Sequence, residues 1–517
     1  MNKRIFVLLA TVFFCVSIVL GDVIPASMFC DNAVLQRGMQ VPVWGTADPG
    51  EKVTVTFDGQ EKTVSADKDG NWMIRLDPMK ANATGRELVI KGNNTVTCKG
   101  VLVGEVWHAS GQSNMGWSIL KSKIPDTDKI VAEADYPLIR FFRNGHSVSA
   151  DPLNTCRGSW IICSPSAAPS LGAVAYFFAQ ELFTQIDVPV GMLMTPWGGR
   201  KIDVYMPRES FDIYPELKKE LAADEEKIDA LRKSPKDKAV IKESTQLSTV
   251  IFNTKVNPVV PYAIKGALWY QGESNVAPME EAKLYDLKQR AMIQSWRKKW
   301  GQGDFPFYYV QLTPSSKWNR GILRECQRQT LGMKSTGMAV AVDVGGPSAH
   351  PPEKVVVGKR LAAWALAKDY GIDVPYSGPV YKDIRINGNE VVVEFDYIGG
   401  GLKVGKKDPF KAVKFLPGSD LDYFELASSD KNWHMAKAVI KGNTVVVSSE
   451  SVAKPVAVRY FYYAPYTHTK LLYNKEGLPA SPFISDLDML DAERETELIE
   501  QKMKDAKAAR NLKQREK

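Results

Sequence analysis

Histidine and cysteine are scarce in this chain. With five histidines and six cysteines in 517 residues, little is left to hold a transition metal, and no C-x-x-C pair or His-rich cluster has the spacing of a zinc site. Neither a metal nor an organic cofactor is expected. Cys15 lies in the N-terminal apolar run. The other five, Cys30, Cys98, Cys156, Cys163 and Cys326, are odd in number and irregular in spacing. That argues against a complete disulfide framework, although Cys30 with Cys98, or Cys156 with Cys163, are combinations that can pair. Long apolar runs are missing beyond the first, Ile5 to Leu20, which follows Asn2-Lys3-Arg4 and ends at Val19-Leu20-Gly21. Residues 1–21 therefore read as a secretory signal peptide. The run is short for a membrane span, and Cys15 lacks the small preceding residues of a lipid-anchored cysteine. The expectation is export, periplasmic or secreted, with no membrane contact after cleavage. The net charge of +8 is inflated by Lys and Arg at the two ends and accompanies no nucleic-acid motif, so no nucleic-acid partner is expected.

What is present is ordinary globular composition, 44% hydrophobic and 24% charged, in a chain too long for one core. Residues 22–100 are strand-rich, with Val41-Pro42-Val43-Trp44, Lys52 to Phe57 and Leu88-Val89-Ile90 separated by turns such as Asp58-Gly59 and Asp69-Gly70-Asn71. This predicts an N-terminal β domain, sandwich-like, in which Trp44 or Trp72 serves the core or a sugar. From Val101 to about residue 375 strand-like runs alternate with helical patterns. The runs are Val188 to Met194, Ile264 to Tyr270, Phe307 to Leu312 and Gly337 to Val342; the clearest helices are Ala173 to Leu182 and Leu284 to Trp300. Alternation of this kind predicts an α/β core with a parallel sheet covered on both faces. Within it, residues 208–245 read as a charged helical insertion. Residues 376–485 return to β patterning as a C-terminal β domain, and residues 486–517 form a charged helical tail.

The chemistry gathers at the ends of these runs. Val101 to Ser118, VLVGEVWHASGQSNMGWS, reads as a buried strand that breaks into a tight turn at Gly111-Gln112-Ser113. A hydroxyl there stands clear of its backbone at the edge where α/β folds place their sites, making Ser113 the candidate nucleophile. An isolated G-x-S is more often a plain polar turn, with Asn114 capping the next helix. Ser274 is the rival, without a preceding Gly-x turn. A base is found by elimination. His434 and His468 lie in the C-terminal region, His146 follows a turn with no strand end to place it, and His108 sits on the strand before the turn and is better suited to packing. His350 remains, in the loop after Val340-Ala341-Val342. No acid stands two to four residues before it; Asp343, seven back, reaches it only if the Gly345-Gly346-Pro347 loop folds over, and otherwise the pair is a Ser-His dyad. Oxyanion donors are expected from the Ser113 amide, from Gly198 or Gly199, and from the Gln271 side chain, with Glu273 orienting Gln271 or Asn114 or binding substrate.

Four ordered motifs carry a family resemblance: GQSNM at 111–115, PWGGRKID at 196–203, ALWYQGESN at 267–275, and His350-Pro351 followed by VGKRLA at 357–362. With Asn32 to Gly38 and Pro479 to Phe483, the likeness covers about residues 22–483, and it resembles the sialate O-acetylesterase family of the SGNH hydrolase superfamily. The resemblance implies a flavodoxin-like SGNH core flanked by β domains and metal-free hydrolysis of acetyl esters on sugars, with Ser113 as nucleophile and His350 as base. Many members carry an acid two or three residues before the histidine, which this chain lacks. The expected partner is an O-acetylated glycan, sialic acid first, with Arg200 or Lys201 available to its carboxylate. An acetylated plant polysaccharide such as xylan is the alternative substrate, and a non-catalytic sugar binder on the same scaffold the alternative class. Glycine is absent at position 115, where Met115 stands, which disfavours an α/β-hydrolase.

Overall fold

A computed structural model describes residues 21–315, 320–345, 348–462, 469–491 and 497. The expected signal peptide, His468 and nearly all of the charged tail lie outside these residues.

The core is a mixed sheet built from β1 (Thr95–Gly111), β2 (Tyr136–Asn144), β3 (Gly158–Cys163), β4 (Val190–Met194), β5 (Gly266–Tyr270), β6 (Phe307–Gln311) and β7 (Thr336–Val340). Their order is β3-β2-β4-β1-β5-β6-β7, all parallel except β3, which runs antiparallel to β2 at one edge. Without β2 and β3 this is the doubly wound order 2-1-3-4-5, whose topological switch point lies between β1 and β5. β4, β5 and β6 are buried at every position, as strands covered on both faces must be. Alternation along β1 divides its side chains between the two coverings. Trp107 meets Phe178 of α2 (Ala173–Ile186) at 5.1 Å, and His108 meets Trp296 of α3 (Tyr285–Trp300) at 5.0 Å. His108 is a packing histidine, bonded through Nε2 to Thr195 Oγ1 at 2.7 Å and pushed down to about 3 by burial.

Two strands here, β2 and β3, were not marked by the sequence pattern, and β1 is longer than expected. Its first half pairs antiparallel with Asn82–Lys91, so one eleven-stranded sheet runs from the N-terminal strands into the core. A three-stranded sheet, Ile24–Pro25, Val41–Thr46 and Asn71–Leu76, accompanies it. Trp72 is buried and Trp44 packs edge-on against Phe29 at 5.0 Å, so both serve the core. The segment 208–245 contains helices Lys218–Lys233 and Lys238–Ser244. From Val380 to Ile484 a seven-stranded antiparallel sheet and a three-stranded one follow. Arg324 of the core donates to the Phe461 and Tyr462 carbonyls at 2.6 and 3.1 Å and ties this part to the rest. All five cysteines of the described residues are free thiols. Among the described residues no helix is long and apolar enough to cross a membrane, and no His/Cys/Asp/Glu group has the make-up of a metal site.

Candidate active site

β1 ends at Gly111, and the chain turns there because Gly111 holds φ at +123°, where a Cβ would also lie 2.3 Å from the Tyr270 carbonyl oxygen. The turn is clamped from β5 and from the loop after β4. Gln112 N–H donates to the Tyr270 carbonyl at 3.0 Å, while Trp197 N–H and the Tyr205 hydroxyl donate to the Gly111 carbonyl at 2.9 and 2.6 Å. Ser113 then opens α1 (Ser113–Gly116) at the switch point of the sheet. As the first residue of a helix its amide has no intrahelical acceptor.

His350 reaches this serine from the loop after β7: its Nε2 lies 2.7 Å from Ser113 Oγ. The imidazole is stacked on Trp117, centroids 3.7 Å apart and planes at 10°, which fixes the plane in which Nε2 points. Burial, with the Lys354, Lys121 and Arg320 cations, pushes the imidazole down to about 4. A neutral imidazole has a lone pair to accept a proton, so as a candidate base His350 is ready over most of the pH range. For a neutral ester, kcat/KM is accordingly expected to stay level as pH falls and to drop only through about 4. A pH–rate profile on 4-nitrophenyl acetate checks this, and an acid limb at the ordinary histidine value of about 6.5 contradicts it.

Asp343 is not the third member of a triad. Its Oδ1 and Oδ2 accept from Arg360 Nη1 and Nη2 at 2.6 and 2.8 Å, with the Tyr473 hydroxyl 3.4 Å from Oδ2. Both carboxylate oxygens are thus spent on a buried guanidinium of α4 (Lys354–Asp369), and among the described residues no carboxylate bonds the His350 ring. What holds His350 is a network behind it. Asn114, buried beneath the serine, donates through Nδ2 to Glu273 Oε1 and to the Ala349 carbonyl, the latter at 3.1 Å. Its Oδ1 accepts from Lys354 Nζ. Glu273 Oε2 also accepts from Gln112 Nε2 at 2.6 Å, and the Ser274 hydroxyl donates to Gln112 Oε1 at 2.9 Å. Glu273 therefore orients Asn114 and not Gln271, which it does not bond. The rival nucleophile Ser274 is a strut of the turn.

The oxyanion expectation divides. A Cβ on Gly198 would lie 3.2 Å from Ser113 Cβ, so this glycine backs directly onto the nucleophile, and its amide has no acceptor among the described residues. Gly199 is one step further out, its carbonyl accepting from Gln246 Nε2 at 2.8 Å. Gln271 is a correction. It is fully buried, its Nε2 donates to the Arg200 carbonyl at 3.0 Å and to Asn275 Oδ1 at 2.6 Å, and its Oε1 accepts from the Tyr285 hydroxyl at 2.7 Å. With both ends engaged, that amide braces the loop after β4 and offers nothing to an oxyanion. Lys201 is likewise engaged, with Glu281 at 2.6 Å. The Arg200 guanidinium lies over Trp197, 5.0 Å from the ring centre.

Ser113 opens into a cavity of about 630 Å³ whose lining includes Trp117, Lys121, Arg143, His146 and Lys255. None of the last four was marked as a site residue by the sequence. His146 faces Trp197 in a stack at 4.5 Å and makes no bond to Ser113.

The family model for a carbohydrate esterase, sialic acid-specific acetylesterase, matches residues 239–366. Sialate O-acetylesterases of Mus musculus and Homo sapiens are each 28% identical over 89% of this chain, covering 94% and 92% of their own lengths. A solved carbohydrate acetylesterase from Xanthomonas citri is 34% identical and superposes with a TM-score of 0.78, over 90% of this chain and all of that one. The chain belongs to the sialate O-acetylesterase family. In this member of that family the pair Ser113–His350 is braced by an asparagine, a glutamate and a buried lysine. Lys354 carries no signal by which the sequence could have revealed it, since a lysine near a helix start is normally solvated. Here burial pushes its ammonium down to about 7 against the pull of Glu273.

Proposed function

We propose that this protein is an exported serine O-acetylesterase that removes acetyl groups from sialic acid through an acetyl-enzyme. The observation that carries the reading is the 2.7 Å contact between His350 Nε2 and the Oγ of Ser113, a residue that lines the cavity. A serine hydroxyl is a weak nucleophile until a neighbour takes its proton. In the first half-reaction Ser113 Oγ bonds to the acetyl carbonyl carbon as its proton passes to His350 Nε2. The Ser113 and Gly198 amides receive the negative charge on the carbonyl oxygen. The tetrahedral intermediate then breaks its bond to the sugar oxygen, which leaves with the proton from His350. In the second half-reaction His350 takes a proton from water, the resulting hydroxide attacks the acetyl-serine, and acetate departs as Ser113 regains its hydrogen. Each step uses groups of this chain and water alone. The apolar run at 5–20 supports export.

The test is acetate release from O-acetylated sialic acid and from acetylated xylan, measured side by side with the wild type and Ser113→Ala. Release from the sialic acid by the wild type alone is the expected result. Release from xylan only would move the substrate to the polysaccharide. No release from either, with sugar binding retained, would replace the esterase by a binding protein.

A further inference from the structure

We propose that Lys121, Arg143 and Lys255 form a carboxylate-binding subsite in the cavity beside Ser113, and that this subsite selects an anionic sugar over a neutral one. The inference rests on the reading of Ser113 as the esterase centre and adds to it which groups choose the substrate.

The cavity wall carries these three cations and His146, and no aspartate or glutamate. None of the three is paired with a carboxylate among the described residues. Lys255 is the most telling. It sits in the short π-helix Phe252–Val256 and is 1% exposed, yet its Nζ bonds only backbone carbonyls, those of Asn144 at 3.3 Å and Gly145 at 3.1 Å. An ammonium has three N–H groups, so these two carbonyls leave one of them without an acceptor in a residue that lines the cavity. The other buried lysines are differently placed. Lys288 meets the carboxylates of Asp203 and Glu220 at 2.7 and 3.0 Å, and Lys354 has Asn114 with Glu273 behind it. A buried ammonium without a counter-charge is costly to keep ionised, and burial with the nearby Arg143 does push Lys255 down to about 7, only partly offset by the Cys156 thiol. An incoming carboxylate removes that cost.

The other two cations complete the arrangement. Arg143 is the next-to-last residue of β2, where its Nη2 donates to the Ser170 carbonyl, so the guanidinium is anchored while other N–H groups remain. Lys121 lies with Nζ 4.7 Å from the centre of the Trp117 ring, the ring that also carries His350. The three cations therefore line the same cavity as Ser113. A neutral xylose unit offers this wall hydroxyl groups but no charge. A sugar acid offers a carboxylate able to accept charge-assisted hydrogen bonds from lysine and arginine, which are about twice as strong as neutral ones.

The experiment compares O-acetylated sialic acid with its methyl ester, in which that carboxyl group is uncharged and carries one added methyl group. For the wild type, kcat/KM is expected to favour the free acid by about 10- to 100-fold, with the difference in KM. In Arg143→Gln and in Lys255→Met the preference is expected to fall toward one. Because the preference is a ratio within one preparation, a partly unfolded variant does not disturb it, and exposed Arg143 serves if the buried lysine cannot be replaced. Equal rates on acid and ester by the wild type, or a preference that survives both substitutions, overturns the subsite while the esterase reading stands. No acetate from either compound overturns the sialic acid reading on which the subsite rests, and release from acetylated xylan then decides whether the esterase reading stands.

Discussion

Ser113→Ala and His350→Ala are each expected to lower kcat for acetate release by about 10⁴-fold or more, and the double variant is expected to lose little beyond either single one. The two groups act as a unit. Without the imidazole, the hydroxyl keeps its proton and stays a poor nucleophile; without the hydroxyl, the imidazole has nothing to activate except a water that no group positions. The residual rate comes from the amides of Ser113 and Gly198 and from binding. Steady-state acetate assays on the three variants check this. Losses that multiply in the double variant would show that serine and histidine contribute to separate steps.

Asp343→Asn is expected to do the reverse, leaving kcat within about threefold of the wild type while lowering stability by about 3–5 kcal/mol. The second figure is the usual effect of removing one partner from a buried ion pair. The guanidinium of Arg360 is 10% exposed and the carboxylate of Asp343 1%, so solvent replaces little of what is lost. Were Asp343 the orienting acid of a triad, the same substitution would cost about 10⁴ in kcat, as loss of the correct tautomer does elsewhere. Thermal unfolding and kinetics on one preparation separate the two. A stable, inactive Asp343→Asn would restore the triad.

How far the sequence reveals this molecule depends on whether a feature is local. Ser113 was legible because a long buried strand, a glycine and a small polar turn are consecutive. His350 was legible by elimination among five histidines, although the ground for setting His146 aside does not hold: it follows the end of β2 at Asn144 and lines the same cavity, where it stacks on Trp197. Asp343 misled because nearness in sequence suggested reach, whereas Arg360, in the second turn of α4, captures both its oxygens. Gln271 misled for a related reason. Its motif places the loop after β5 at the site, but side-chain direction depends on Asn275 and Tyr285, and they turn it inward. Arg143 and Lys255 left no pattern at all. β2 holds a proline near its start and has buried residues side by side without alternation, so its end was not expected at the catalytic edge. Lys255 looks like any surface lysine until the π-helix Phe252–Val256 buries it. The asparagine and glutamate network stands between these cases: the motif marked Asn114 and Glu273, and only the fold shows that they hold the Ala349 carbonyl, next to the base.

The most direct measurement is to quench the enzyme with acid during turnover of an acetyl ester and locate the acetyl group by peptide mass spectrometry. An acetyl adduct is expected on the peptide containing Ser113, and none in Ser113→Ala. An adduct on Ser274 or another residue, or rapid acetate release with oxygen from labelled water and no adduct at any time, would contradict the assignment of Ser113 as the nucleophile.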